Sequence, residues 1–251
     1  MPRYFLELAY KGTAFSGFQV QENANTIQSE VEKALQTLFR QSFELTGSSR
    51  TDAGVHALQN FFHFDTDMII QKASIYNLNA ILPIEITAKG IYPVPYKYHC
   101  RFDATAREYN YFIYRKKDPF MVDRGWLYPY RLDMDLLQEA AHILMEYTDF
   151  TSFSKRNTQV KTFLCTIECS EWQQEGALLM YQVKANRFLR GMIRGLVGTM
   201  VKLARGQLTV SQFRDIIEAK DCTKANFSTP AQGLFLKHVQ YSKEVSTFLQ
   251  A

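Results

Sequence analysis

No run of this chain approaches the roughly 20 apolar residues that a membrane span requires, and the opening MPRYFLELAYKGTAF is too polar and too interrupted for a secretory signal. Both absences set the expectation of a cytoplasmic protein with no membrane partner. Cysteine is scarce: Cys100, Cys165, Cys169 and Cys222 are the only four in 251 residues, and in a reducing compartment they need no disulfide. Only Cys165 and Cys169 lie close together, and no second Cys or His pair completes a tetrahedral zinc site beside them. No tract rich in Pro, Ser or Gln interrupts the sequence, which argues against disorder. Acidic residues are missing altogether from Gly176 to Phe213, a window that holds Lys184, Arg187, Arg190, Arg194, Lys202 and Arg205. The net charge is only +4, so the basic character is local, and it points to a polyanionic partner.

At about 150 residues per domain, the length predicts one large or two small domains. RYFLELAY alternates as a strand with buried faces. NTIQSEVEKALQTLF places Ile27, Val31, Ala34, Leu35 and Leu38 at helical spacing, with Asn25 and Gln28 as a capping pair. SFELTG and LQNFFHFD read as strands, QKASIYNLNAIL as a helix ended by Pro83, and EITAKGIYPVP as a strand. This order is the ferredoxin-like α+β pattern. The pattern restarts with REYNYFIYR, in which Arg107, Tyr109, Tyr111, Ile113 and Arg115 share a face. A helix introduced by Asp133 follows, then two strands joined around Glu175 and Gly176, two helices, and a last strand in GLFLKHVQY. We therefore expect an N-terminal α+β domain over residues 1–100 and a C-terminal one over 101–251, with no flexible linker between them.

On a wheel of about 100° per residue, Arg190, Arg194, Lys202 and Arg205 fall within roughly 60° of Arg187, opposite Leu189, Met192, Ile193, Leu196, Met200 and Leu203. Such a face is either a solvated helix surface or a phosphate-binding one. The lack of acidic partners at four-residue spacing favours nucleic acid. Gly191, Gly195 and Gly198 near this face permit close approach of another backbone, protein or nucleic acid.

The densest chemistry lies in GSSRTDAGVHA, residues 47–57. Asp52 in such a loop reads as a turn or capping residue or as a catalytic carboxylate, and His56 as a structural or functional imidazole. The glycine pattern matches neither phosphate-binding consensus, Ser48 and Ser49 lack a nucleophile elbow, and no metal-ligand spacing appears. SRTDAGVHA closely resembles the catalytic loop, usually G-R-T-D-A-G-V-H-A, of the TruA family of tRNA pseudouridine synthases. The resemblance spans essentially the whole chain: YKGTAFSGFQVQENANTIQSEVEKAL is similar to the family's opening segment and first helix, FDATAREYNYFIY to its A-R-x-Y-x-Y strand, NRFLRGMIRGLVGTM to its arginine-bearing helix, and STPAQGLFL to its closing A-P-x-x-G-L-x-L.

The resemblance implies two α+β domains sharing an extended antiparallel sheet with a basic cleft, a homodimer, and a tRNA substrate modified in the anticodon stem-loop at positions 38, 39 and 40. It implies isomerisation without cofactor or metal. It assigns catalysis to Asp52, pairing with that aspartate to Arg194, stacking on the uracil to Tyr109, and the space vacated by the flipped base to Arg50. Arg187, Arg190, Lys202, Arg205 and His56 remain candidate tRNA contacts. Ser49, Lys11, Phe18 and Ala231 depart from the family's usual Gly, Asp, Trp and Pro. The rival readings are a tRNA-folding chaperone without chemistry and a metal-dependent nuclease using Asp65 and Asp67 on one strand face.

Overall fold

The computed structural model describes residues 1–156 and 160–250. In chain order its elements are β1 (Arg3–Tyr10), α1 (Ile27–Phe39), β2 (Thr46–Gly47), β3 (His56–Asp65), α2 (Ser74–Ile81), β4 (Ile86–Val94), β5 (Ala104–Tyr114), β6 (Trp126–Leu127), α3 (Met134–Leu144), β7 (Ile167–Glu175), β8 (Leu178–Ala185), α4 (Met192–Ala204), α5 (Val210–Glu218), β9 (Leu234–Tyr241) and α6 (Lys243–Phe248). They form two compact units, Met1–Ala106 with Phe235–Ala251, and Arg107–Leu234. Among the described residues no helix is long and apolar enough to cross a membrane.

In the first unit, β1 lies antiparallel between β3 and β4, and β2 adds a short antiparallel pairing to β3. The β-α-β-β-α-β order expected from the sequence is present over β1 to β4. Helix α1 buries Ile27, Val31, Ala34 and Leu35, the face its spacing predicted. Its cap sits one residue beyond the expected Asn25: Thr26 and Ser29 form the capping box, because the Thr26 hydroxyl reaches the Ser29 N–H. The last strand differs most from the expected division at residue 100. β9 belongs to the first unit, where His56 and Ala57 of β3 pair in parallel with Phe235 and Leu236. A purely antiparallel sheet is thereby corrected to a mixed one.

In the second unit, β5 runs antiparallel to β8 and β8 antiparallel to β7, while β6 pairs in parallel with the end of β5. Gly176, at φ +58°, closes the β7–β8 hairpin where the sequence placed its turn. Asp133 caps α3 by accepting from the Asp135 and Leu136 N–H groups, as expected. α3 packs on β7 and α4, and α5 on both α3 and α4.

Helix α4 departs from the amphipathic expectation. Gly191 in a left-handed conformation starts the helix, so Arg187 and Arg190 precede it and share no helical face with Arg194. Eleven of its thirteen residues are buried, leaving Arg194 half-buried and Lys202 exposed. Its glycines admit protein rather than RNA. A Cβ on Gly195 would press on the Phe227 ring, and one on Gly198 would overlap the Asn226 carbonyl oxygen. Because backbone cannot yield as a flexible side chain can, Gly198→Ala is expected to destabilise the fold by about 1–3 kcal/mol, read from the midpoint of urea unfolding at unchanged slope.

Candidate active-site residues

Asp52 belongs to a loop, Ser48–Val55, that joins β2 to β3 and is fastened on nearly every side. The Ser48 N–H donates to the Phe61 carbonyl at 2.7 Å. The Ser49 carbonyl accepts from Asn60 Nδ2 at 2.8 Å, and the other proton of that amide goes to the Tyr10 hydroxyl at 3.1 Å. Tyr10 in turn shares a 2.8 Å hydrogen bond with Thr51 Oγ1. The Thr51 carbonyl accepts from the Phe18 N–H at 3.1 Å. Beyond the aspartate, the Val55 N–H closes a turn onto the Asp52 carbonyl at 3.1 Å, with Gly54 at φ +80°.

Two glycines of the opening segment form the loop's floor. A side chain on Gly12 would overlap the Val55 carbonyl, and Gly17, at φ +109°, lies under Thr51 and Ala53. Phe18 is 2% exposed. Its ring stacks on Phe62 at 4.6 Å and fills the space that Gly47 leaves.

The loop presents Asp52 half-buried and Arg50 exposed. His56, read from sequence either as a structural imidazole or as a candidate tRNA contact, lies beneath the loop. It is 2% exposed, accepts from the Gly12 N–H through Nδ1 at 3.2 Å, and stacks on Phe235 at 4.4 Å.

The second unit carries the other predicted residues. Tyr109 on β5 is 8% exposed, with Phe188 edge-on at 5.1 Å. Arg194, in the first turn of α4, donates from Nε to the Thr229 carbonyl at 2.8 Å. Arg190 and Lys202 are exposed and Arg187 half-buried. Arg205 lies over the Tyr130 ring at 4.4 Å and donates to the Tyr128 hydroxyl, so its guanidinium is engaged with aromatic side chains. Lys184 has the acidic partner that its own strand lacks, Glu168 on β7, at 2.8 Å.

Neither acidic pair nor ligand spacing in the sequence predicted the metal-type side chains that the first unit brings together. Asp65, one half of the nuclease reading, is held by Arg3 through two hydrogen bonds of 2.7 and 2.8 Å, and that pairing keeps its carboxyl below the usual range. His63, His99 and Cys100 do converge, with ligand atoms within 4.8 Å of one another. Their hydrogen bonds run inward. The Cys100 thiol donates to the Thr46 carbonyl and touches His63 Nδ1 at 3.2 Å, while His99 Nδ1 accepts from the Arg101 and Phe102 N–H groups. Burial, reinforced by the Arg3 charge, pushes the His63 imidazole down to about 4.

Sequence reasoning did not single out Tyr10, Thr51, Asn60 and Thr229, which set the positions of the predicted residues. Asn60 carried a signal: an amide inside the largely apolar stretch LQNFFHFD must find buried partners.

Comparison with known proteins gives the family to which this arrangement belongs. A family model described as tRNA pseudouridine synthase matches residues 8–103 and 140–242, spans that include Arg50, Asp52 and Arg194 and leave out Tyr109. The tRNA pseudouridine synthase A of Parabacteroides distasonis is 44% identical over 98% of this chain and 98% of its own. That of Bacteroides thetaiotaomicron is 42% identical over 98% of this chain and 93% of its own, and that of Staphylococcus aureus 35% over 94% and 91%. The chain is thus an α+β RNA-modifying isomerase, and it belongs to the TruA family of tRNA pseudouridine synthases.

Two outcomes test the local physics. Asn60→Leu removes the amide that the buried Ser49 carbonyl accepts from and one of the two partners of the Tyr10 hydroxyl, which is expected to cost about 1–3 kcal/mol in urea unfolding, and to lower kcat for pseudouridine formation more than it raises KM. The unfolded chain protonates His63 near 6.5 and the folded one only near 4, so this residue's contribution is intact above pH 6.5 and is lost as pH falls toward 4. His63→Asn should flatten the decline of unfolding midpoint in that window relative to the wild type.

Proposed function

We propose that the chain converts uridine to pseudouridine in the anticodon stem-loop of tRNAs, with Asp52 acting on a uridine flipped out of the stack. The observation that carries this reading is the anchoring of the loop on both sides of Asp52, at Thr51 and at Val55, which holds a half-buried carboxylate on a rigid support. In the reaction, the C1′–N1 bond of uridine breaks, the uracil turns, and C1′ bonds to C5. N1 gains a proton and C5 loses one, so product and substrate are isomers and no electron is transferred.

Attack on C1′ and proton abstraction both require Asp52 ionised. By its likeness to the family, Arg194 is the cation that partners this aspartate. Tyr109 offers a ring to the uracil. Opening an RNA stack costs a few kcal/mol, and exposed Arg50 takes the vacated space. Arg187, Arg190 and Lys202 meet phosphates. Arg205 is left out of this set because its guanidinium lies on Tyr130. By its likeness to the family the enzyme works in the cytoplasm as a homodimer, with one tRNA touching both subunits.

The test incubates wild type and Asp52→Asn, without metal or cofactor, with unmodified tRNA transcripts, and maps pseudouridine by chemical labelling and primer extension. Wild type is expected to modify the anticodon stem-loop. Asp52→Asn should lose at least about a thousandfold in rate while binding tRNA within a few-fold of wild type. Modification that persists in Asp52→Asn would sink the catalytic assignment, and wild-type binding without any modification would favour the chaperone reading.

A further inference from the structure

Arg194 is joined to Thr229 by two reciprocal bonds. Its Nε donates to the Thr229 carbonyl at 2.8 Å, and Thr229 Oγ1 donates back to the Arg194 carbonyl at 2.8 Å. Thr229 is fully buried, and the two residues lie 35 positions apart in sequence. The segment around it is stitched along α4 and onto β5. The Asn226 N–H donates to Thr199 Oγ1 at 3.1 Å, its side-chain amide to the Gly198 carbonyl at 3.2 Å, and Tyr111 Oη to the Pro230 carbonyl at 2.7 Å. Ser228 donates twice to Asn226 Oδ1, bracing the strap from within.

An unanchored arginine spreads over many rotamers, and its charge is then distributed over several ångströms. With Nε committed to a buried carbonyl, the guanidinium plane is fixed, and it can meet a carboxylate or phosphate only through its Nη groups. Thr229 makes this possible twice over: its carbonyl takes Nε, and its hydroxyl ties that carbonyl's own residue to the helix that carries Arg194.

We infer that Thr229 is a positioning residue for pseudouridine formation, acting through Arg194, and that the Asn226–Pro230 strap exists to hold that latch in register with α4. This inference rests on the catalytic role proposed for Arg194. Misplacing a catalytic group by about 1 Å can cost a hundredfold in rate. The isosteric Thr229→Val removes the hydroxyl and keeps the shape, whereas Thr229→Ser keeps the hydroxyl.

The experiment compares kcat, KM for a tRNA transcript, and thermal midpoint for wild type, both Thr229 variants, Arg194→Lys, and Thr229→Val with Arg194→Lys. Thr229→Val is expected to lower kcat by about ten- to a hundredfold with KM within twofold, and Thr229→Ser to restore kcat to within about threefold of wild type. Combined with Arg194→Lys, Thr229→Val should add less than about twofold to the loss, since its effect passes through the arginine. Full kcat in Thr229→Val, equal losses in Val and Ser variants, or additive losses in the double variant would overturn the inference. If Arg194→Lys itself keeps wild-type kcat, the role proposed for Arg194 fails instead, a result distinguishable from the others.

Discussion

The amide of Asn60 lies fully buried among phenylalanines, where an unmade hydrogen bond costs more than the whole margin of many point mutants. Its nitrogen donates to the Ser49 carbonyl and the Tyr10 hydroxyl, and its oxygen takes the Phe61 N–H. That local requirement fixes the entry to the loop, and through Tyr10 and Thr51 it reaches the residue preceding Asp52. The glycines at 12 and 17 let the chain run close beneath. Precision at one carboxylate is thus derived from the intolerance of a hydrophobic interior for unpaired polar atoms.

Arg194 is held by the same logic with different parts. A threonine hydroxyl and a main-chain carbonyl replace the asparagine, and α4 replaces β3. In both units the residue proposed for the chemistry is only half-buried, and the groups that restrain it are almost completely so. Exposure of the working group and burial of its supports are complementary: the first admits a substrate, and the second removes the water that would compete for the restraining bonds.

Elements governed by local periodicity were legible in the sequence. The buried face of α1, the Asp133 cap, the Gly176 turn and the β-α-β-β-α-β order all follow from side-chain spacing within a few residues. Misreadings came where a distant segment decides. The basic stripe dissolved because one left-handed glycine moved the start of α4 past Arg187 and Arg190, and because Tyr130 lies under Arg205. The burial of His56 could not be read locally, because Phe235 stacks on it from 179 residues further along the chain, a pairing that β3–β9 register creates. The loop motif offered Arg50 and Asp52 as candidates by resemblance, while Asn60 and Thr229 depended on contacts that no local pattern encodes.

The return of β9 to the first unit has a consequence for the birth of the molecule. During translation, residues through Ala106 emerge first, yet the strand that pairs with His56 and Ala57 follows the entire second unit. The edge of β3 at the foot of the Asp52 loop therefore stays open on the ribosome until almost all the chain has been made, and the imidazole that braces Gly12 waits for its aromatic cover. A nascent chain cannot complete the β3–β9 pairing before Arg194 and Thr229 have already been synthesised, so the order of synthesis delays completion of the first unit until the residues of the second have been made.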